Sequence, residues 1–272
     1  MTLHPLWVDL VLAQRLEAVQ AARIQKYALA YQHLHPQMQV SLEPLAGGWL
    51  VDCGPGSPVR RAAGLGMNGP VSSDDMKRIE QFFRARGQPP RLELCPLADP
   101  TLMAQVRQRG FRLEGFSNIF YRELPEGFQP APLPPEMHIT LAAPDQAELW
   151  LQITAEGFDG SDSPSPHTLD VVGPNFYSLG SSAFFAWVGG QPAGGGAMFP
   201  HEGVVELGGA STLLAYRRRG VQRALLEARL AAARQSGCDL AQVSAEPGGN
   251  SGRNIEHAGF RVAYTKVFFI LE

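Results

Sequence analysis

Apolar positions recur along this chain with two periods, and the switches between them lay out its elements. From Trp7 to Gln32, Leu12, Leu16, Val19, Ile24, Tyr27 and Tyr31 return every three to five residues, which predicts an amphipathic helix closed by Pro36. Strand-like runs follow from Val40 to Leu45, Trp49 to Cys53 and Arg60 to Met67, separated by Gly47-Gly48 and by a turn-rich passage through Gly54, Pro55, Gly56 and Pro58. Ser72 or Ser73 then caps a helix carrying Met76, Ile79, Phe82 and Phe83 on one face and stopping at Gly87. A strand from Arg91 to Cys95, a helix from Thr101 to Arg109 and a strand from Phe111 to Leu124 complete a first half.

Pro125, Pro130, Pro132, Pro134 and Pro135 mark an extended connection. Beyond it the pattern predicts a strand from His138 to Leu141 and a helix from Asp145 to Ala155. A polar Ser/Pro/Gly/Asp loop follows from Glu156 to Gly180, with Asp159, Asp162 and His167 as residues that either line a site or are simply solvated. A hairpin spans Ser182 to Val188 and Ala193 to Phe199. Then come a strand from Val204 to Leu213, a helix from Val221 to about Gln235, a strand from Leu240 to Glu246, a short helix, and a last strand from Arg261 to Leu271.

The halves end alike. Gln108-Arg109-Gly110-Phe111-Arg112 precedes one final strand and His257-Ala258-Gly259-Phe260-Arg261 the other, with Phe260 149 residues after Phe111. One repeat of this length implies a duplicated domain and not a solenoid. The expected division is 1–125, a linker over 126–136, and 137–272.

Composition narrows the function classes. Of 272 residues, 44% are hydrophobic and 18% charged, which fits a globular protein and not a disordered one. A formal net charge of -3 disfavours nucleic acid as a partner. Cys53, Cys95 and Cys238 are widely spaced with no Cys/His grouping, so no metal is expected. The apolar patch from Leu6 to Leu12 is interrupted by Asp9 and framed by neither a basic n-region nor a cleavage site, and no run reaches membrane-spanning length; a soluble cytoplasmic protein is expected.

The chemistry concentrates at Tyr216-Arg-Arg-Arg-Gly-Val-Gln-Arg-Ala-Leu-Leu226, a strand-loop-helix junction. Gly220 permits close backbone approach, and the first helical turn presents unpaired N–H groups at the positive end of the dipole, a place that binds phosphate. Arg217, Arg218, Arg219 and Arg223 add guanidinium groups suited to phosphate oxygens. The matching region of the first half reads Asn68-Gly69-Pro70-Val71-Ser72-Ser73-Asp74-Asp75, whose carboxylates satisfy the dipole and repel a pyrophosphate.

The junction resembles the acyl-CoA loop of the GNAT superfamily of N-acetyltransferases, R-x-x-G-x-G/A before a small-residue, leucine-rich helix. Arg217 and Gly220 match, and Gln222 stands where the family usually has Gly or Ala. Asn250-Ser251-Gly252-Arg253-Asn254 leading to Gly259-Phe260 resembles the family's second motif. The resemblance implies an α/β (α+β) fold of tandem GNAT-like mixed, mostly antiparallel sheets flanked by helices, the first half degenerate. It implies acetyl-CoA as cosubstrate, bound by the backbones of Ser211, Thr212 and Leu213, by Arg217 to Ala224 (Val221 and Gln222 among them), and by Asn250 and Asn254.

Acetyl transfer to an amine benefits from a base, since a primary ammonium has a pKa of about 10.4. Glu206 lies where the resemblance places one; the alternative is an ordinary solvent-facing strand Glu. Where the family often carries a Tyr as acid the chain has Ile255, leaving Ser251, Tyr264 or water. The expected function is N-acetyltransfer to an amine acceptor by direct attack; the alternative is a catalytically weak acyl-CoA-binding or regulatory protein.

Overall fold

The computed structural model describes residues 7–54, 57 and 59–272. Leu6 and the turn residues Pro55, Gly56 and Pro58 lie outside that range. Chain order is α1 (Leu10–Leu34), β1 (Ser41–Leu45), β2 (Gly48–Asp52), β3 (Arg60–Ala63), α2 (Ser73–Arg84), β4 (Arg91–Leu94), α3 (Pro100–Gln108) and β5 (Arg112–Glu123). The second half contributes β6 (Met137–Leu141), α4 (Ala147–Asp159), α5 (Pro166–Tyr177), β7 (Ser182–Val188), β8 (Gln191–His201), β9 (Val204–Thr212), α6 (Val221–Gln235), β10 (Leu240–Ala245), α7 (Asn250–His257) and β11 (Arg261–Ile270).

Among the described residues eleven strands form one sheet, in the order β1-β2-β3-β4-β11-β5-β10-β9-β8-β7-β6. Only β3·β4 and β9·β10 pair in parallel, so each half has one parallel step at the same place. The last strand of each half crosses over: β5 lies against β10, and β11 against β4. Between them β5 and β11 pair antiparallel from Arg112↔Ile270 to Tyr121↔Arg261. Two register breaks interrupt this pair, leaving Glu114 on β5 and Ala263 on β11 unmatched. These bulges are 149 residues apart, the same offset as the two Gly-Phe pairs, so the repeat read from sequence persists in the backbone. The expected pair of sheets is thus one sheet, joined by exchanged strands.

Helix α1, about 37 Å long at 1.5 Å per residue, is capped by Asp9, whose carboxylate accepts from Leu12 N–H at 2.9 Å. It lies across one face of the joined sheet, where Leu12, Leu16 and Val19 meet Ile119, Tyr121, Phe199, Val204, Leu240 and Tyr264 from both halves. The other face is covered by α2 and α3 in the first half and by α6 and α7 in the second. Under α1, Lys266 is buried with Nζ 2.9 Å from Glu17 and 2.6 Å from Glu93, and it also donates to Gln20. Burial opposes its charge, but Glu17 and Glu93 more than offset that and hold its pKa above the ordinary lysine value.

The stretch expected as a loop from Glu156 to Gly180 instead finishes α4 and forms α5. Ser165 caps α5, accepting from Thr168 N–H at 3.1 Å, and Pro166 occupies its first turn. The Asp159 carboxylate takes Ser165 N–H and the Thr168 hydroxyl, both at 2.7 Å, so this candidate acceptor-site residue acts as a structural clamp. Packing of α5 against α1 and α4 overrides the local Ser/Pro signal. The expected strand from Arg60 to Met67 ends at Ala63, where Gly64 and Gly66 take positive φ.

Candidate active site

β9 and β10 pair only from Val204↔Leu240 to Glu206↔Gln242. Beyond that β10 follows β5 to Ala245 while β9 follows β8 to Thr212, so the two diverge and the facing edge of β9 from Leu207 onward has no strand partner. A bulge at Gly209–Ala210, with Gly209 at φ +54, sharpens the turn of β9 away from β10. The wedge is braced from behind. Buried Arg229 donates to the carbonyls of Ala197 at 2.9 Å and Gly208 at 3.3 Å, and burial pushes its pKa down to about 10. On the α1 side, Ser211 Oγ donates to Thr154 O at 2.7 Å, and Gly157 admits this contact: a Cβ there would lie 2.4 Å from Ser211 Oγ and 3.0 Å from Thr212 N. Thr212 Oγ1 is buried without a partner at the wedge.

From Leu213 a short 3-10 turn, Leu214–Tyr216, leads into the arginines. They divide by role. Arg217 folds back, its Nη2 donating to Gly157 O at 2.9 Å and its Nε to Thr212 O at 3.3 Å, so it ties the end of α4 to the end of β9. Arg218 has φ +61 and is exposed. Arg219 lies over the Tyr216 ring at 5.6 Å. Gly220 caps α6 at φ +83 with no atom within 4 Å of where a Cβ would stand. The helix ladder begins at Ala224 N–H to Gly220 O, leaving the N–H groups of Val221, Gln222 and Arg223 outside it. Val221 and Ala224 are buried in the core, Gln222 is half-buried and Arg223 exposed, and the first turn holds no acidic residue. At the start of α2, by contrast, Ser72 and Asp75 close a reciprocal capping box with Asp74 beside it.

Glu206 is 3% exposed and faces α1. Its Oε1 lies 2.9 Å from Arg23 Nη1, Arg23 Nη2 reaches Asn175 Oδ1 at 2.8 Å, and Glu206 Oε2 has no partner. Burial raises the carboxyl pKa and Arg23 opposes the shift, leaving it above the ordinary value. Beside it is a cavity of about 10 Å³, room for one water, lined by Arg23, Asn175, Ser178 and Ser181. Gln242, the register neighbour of Glu206 on β10, is fully buried with neither amide atom partnered.

A wedge between parallel strands, leading from a buried carboxylate to an acid-free helix start, coincides with a family match: residues 147–253 fit the acetyltransferase (GNAT) family. This stretch of the second half matches a GNAT domain. Across the whole chain the fold is similar to a GCN5-related N-acetyltransferase from Kribbella flavida, with 18% identity, 90% of this chain and 94% of that one covered, and a TM-score of 0.63. It is similar also to a tandem GNAT protein from the clavulanic acid biosynthesis pathway, at 14% identity, 86% and 78% coverage and a TM-score of 0.56. A conserved protein of unknown function from Bacteroides thetaiotaomicron shares the fold at 11% identity, 93% and 91% coverage and a TM-score of 0.58. No curated protein matches the chain in sequence. The mixed, mostly antiparallel sheet flanked by helices is the GNAT fold, in an arrangement shared with a tandem member. Among the described residues no helix is long and apolar enough to cross a membrane.

Ser211 and Thr212 close β9 beyond its divergence from β10, Leu213 follows them, and Arg217 to Ala224 lead from there into α6. Asn250 and Asn254, one turn apart on α7, are exposed. Ile255 packs into the core with Val221 and Phe120, so this helix position offers no acid. Tyr264 is likewise committed elsewhere: its hydroxyl donates to Glu17 at 2.6 Å under α1. Ser251 remains exposed. Arg23, Asn175 and Gln242 escaped the sequence reading. Arg23 falls on the α1 stripe between Val19 and Tyr27, where a charge among buried positions was the available signal, and Gln242 interrupts the apolar run of β10.

Proposed function

We propose that the GNAT domain is an N-acetyltransferase that moves an acetyl group from acetyl-CoA to an amine by direct attack. The observation that carries this reading is the divergence of β9 from β10 after Glu206↔Gln242, on a strand that leads into the acid-free N-terminus of α6. There the pantetheine arm would add to the free edge of β9, and the pyrophosphate would meet the N–H groups of Val221 to Arg223 with Arg218, Arg219 and Arg223 around it. The amine gives its proton to Glu206, through the one-water cavity because the carboxylate is enclosed. Its lone pair then attacks the thioester carbonyl, the new C–N bond forms as the C–S bond breaks, and the departing CoA thiolate takes up the second proton from nitrogen. A raised carboxyl pKa suits this role by bringing the base closer to neutrality. Gln242 sits where its amide would orient the amine or the relaying water.

The first half, 1–125, is read as a degenerate GNAT-like unit without a CoA site, since the Ser72–Asp75 box already fills its helix start, and 126–136 as its linker. A second reading, an acyl-CoA-binding protein with little catalysis, draws on the Arg23–Glu206 ion pair and the buried Ile255. Free CoA thiol release across a panel of amines, with calorimetric titration of acetyl-CoA, separates the two. Tight binding with no release for any amine supports the second, and release abolished by Glu206→Gln supports the first.

A further inference from the structure

Past the end of β10, on the sheet face that carries α1 but outside the helix's cover, lies an open cavity of about 710 Å³. That is the size of a site for a small organic ligand. Its floor is arginine-rich. Because Ala62 pairs with Leu92 in parallel, Arg61 and Arg91 stand side by side on one face, with Arg60 adjoining. Like charges placed directly opposite are destabilising, so this arrangement needs a compensating anion. The carboxylates at hand supply only part of it. Glu93, 3.5 Å from Arg61, is already shared with Lys266, and Glu114, carried on the β5 bulge, pairs with Arg91 Nη2 at 2.8 Å. Arg60 has no acidic partner among the described residues, and Arg60 Nε and Arg91 Nε are both buried without an acceptor. Both side chains line the cavity, where guanidinium N–H groups are suited to a carboxylate.

The opposite wall has the other sign. Glu246 and Pro247 follow directly on β10 and line the same cavity. Glu246 is exposed and forms no ion pair among the described residues. Strand alternation puts Gln242, Ser244 and Glu246 on one side of β10, the side of Tyr121 and Ile119, their cross-strand partners under α1. That line runs from the neighbour of Glu206 to the cavity over about 13 Å, at 3.3 Å per residue. Leu92 and Phe268 also line the cavity.

We propose that this cavity holds the acceptor, and that the acceptor is a small amine bearing a carboxylate. Arg60 and Arg91 bind the carboxylate, and Glu246 draws the ammonium to the end of β10, at the mouth of the wedge. The proposal rests on the acetyltransferase reading above. In the transfer the ammonium gives up one proton through water toward Glu206, nitrogen bonds to the acetyl carbon as the C–S bond breaks, and the CoA thiolate takes the second proton from nitrogen. A cleft between the two halves thereby gives the first half a part in substrate choice.

The test uses the full chain, saturating acetyl-CoA, and α- and ω-amino acids each paired with its amide and its decarboxylated amine, read by CoA thiol release. The expected result is a kcat/KM at least tenfold higher for at least one carboxylate-bearing amine than for its amide. Arg60→Gln and Arg91→Gln should each lower that value about ten- to a hundredfold, mainly through KM, while leaving the decarboxylated amine and the KM for acetyl-CoA unchanged. Turnover that ignores the carboxylate, or arginine variants that impair all amines alike, overturns the proposal while leaving acetyl transfer standing. Carboxylate binding that depends on both arginines, seen by calorimetry without any transfer, overturns the acceptor role. Failure to bind acetyl-CoA at all would instead remove the transferase reading beneath it.

Discussion

Arg217 separates two roles that a row of three arginines conceals. Gly157 sits in the last turn of α4, so its carbonyl is one of the four left without an intrahelical donor, and Arg217 Nη2 caps it at 2.9 Å while Nε holds Thr212 O at 3.3 Å. Arg217→Ala removes both contacts and a cation from a helix C-terminus. A charge-assisted hydrogen bond contributes about 1.5–3 kcal/mol, and exposure of this side chain favours the lower end. At about 2–4 °C for each kcal/mol in a chain of this size, the melting temperature should fall by about 3–6 °C. Unpinning the mouth of the wedge should weaken CoA and a truncated pantetheine thioester alike. Arg219→Ala and Arg223→Ala lack such contacts to the chain backbone, so they should leave the melting temperature nearly unchanged and weaken only CoA, by about tenfold or more. Calorimetric titration with both ligands and a thermal melt for each variant decide the matter. An Arg217→Ala protein with wild-type melting and a loss confined to CoA would refute the brace and return Arg217 to the phosphate set.

Three further outcomes follow from the same geometry. Glu206→Gln should abolish the rising limb of the pH–rate profile with acetyl-CoA affinity retained. Because burial raises the folded-state pKa of Glu206, the wild type loses stability as pH climbs from the unfolded value through the folded one, and the variant does not; urea melts at several pH values should show the difference moving in the variant's favour over that window. Lys266→Met leaves buried Glu17 without its cation beside Glu93, which keeps Arg61 at 3.5 Å, and should cost about 3–5 kcal/mol, with part of the loss recovered when Glu93→Gln is added; a urea midpoint equal to wild type would disprove the network's role. Gly157→Ala forces a methyl group against Ser211 and Thr212, and should destabilise by about 1–3 kcal/mol while raising the KM for acetyl-CoA through displacement of β9.

Most elements were legible because their apolar periods are local. The α2 cap at Ser72, the Gly220 junction and the 149-residue repeat are likewise features of short segments or of simple spacing. What escaped is non-local. Nothing near Arg23 says that it will meet Glu206, 183 positions later, and nothing in Phe111 to Leu124 says that the strand will lie beside β10 and not beside β4. α5 was lost for a different reason. Its Ser, Pro and Asp residues are loop formers by composition, yet here they act as cap, first-turn residue and clamp, a distinction that only tertiary contacts reveal.

The exchange of β5 and β11 makes the two halves a single mechanical unit, with consequences for the site. β10, one jaw of the wedge, is held over its full length by β5 from the first half and over only three residues by β9 from its own. The angle between the jaws is therefore set by a strand that the GNAT domain does not itself encode. α1 acts from above on the same place, through Arg23 on Glu206 and through Glu17 and Gln20 on Lys266 of the exchanged β11. A fragment of 137–272 would lack β5, Arg23 and the Glu93 partner of Lys266, and would expose the β10 edge and a buried lysine. Loss of activity in such a fragment would report loss of the wedge's support. The first half is thus tied to the GNAT domain by main-chain pairing, by a buried ion cluster and by the residue that fixes Glu206, and changes in its packing reach the candidate catalytic carboxylate through one helix.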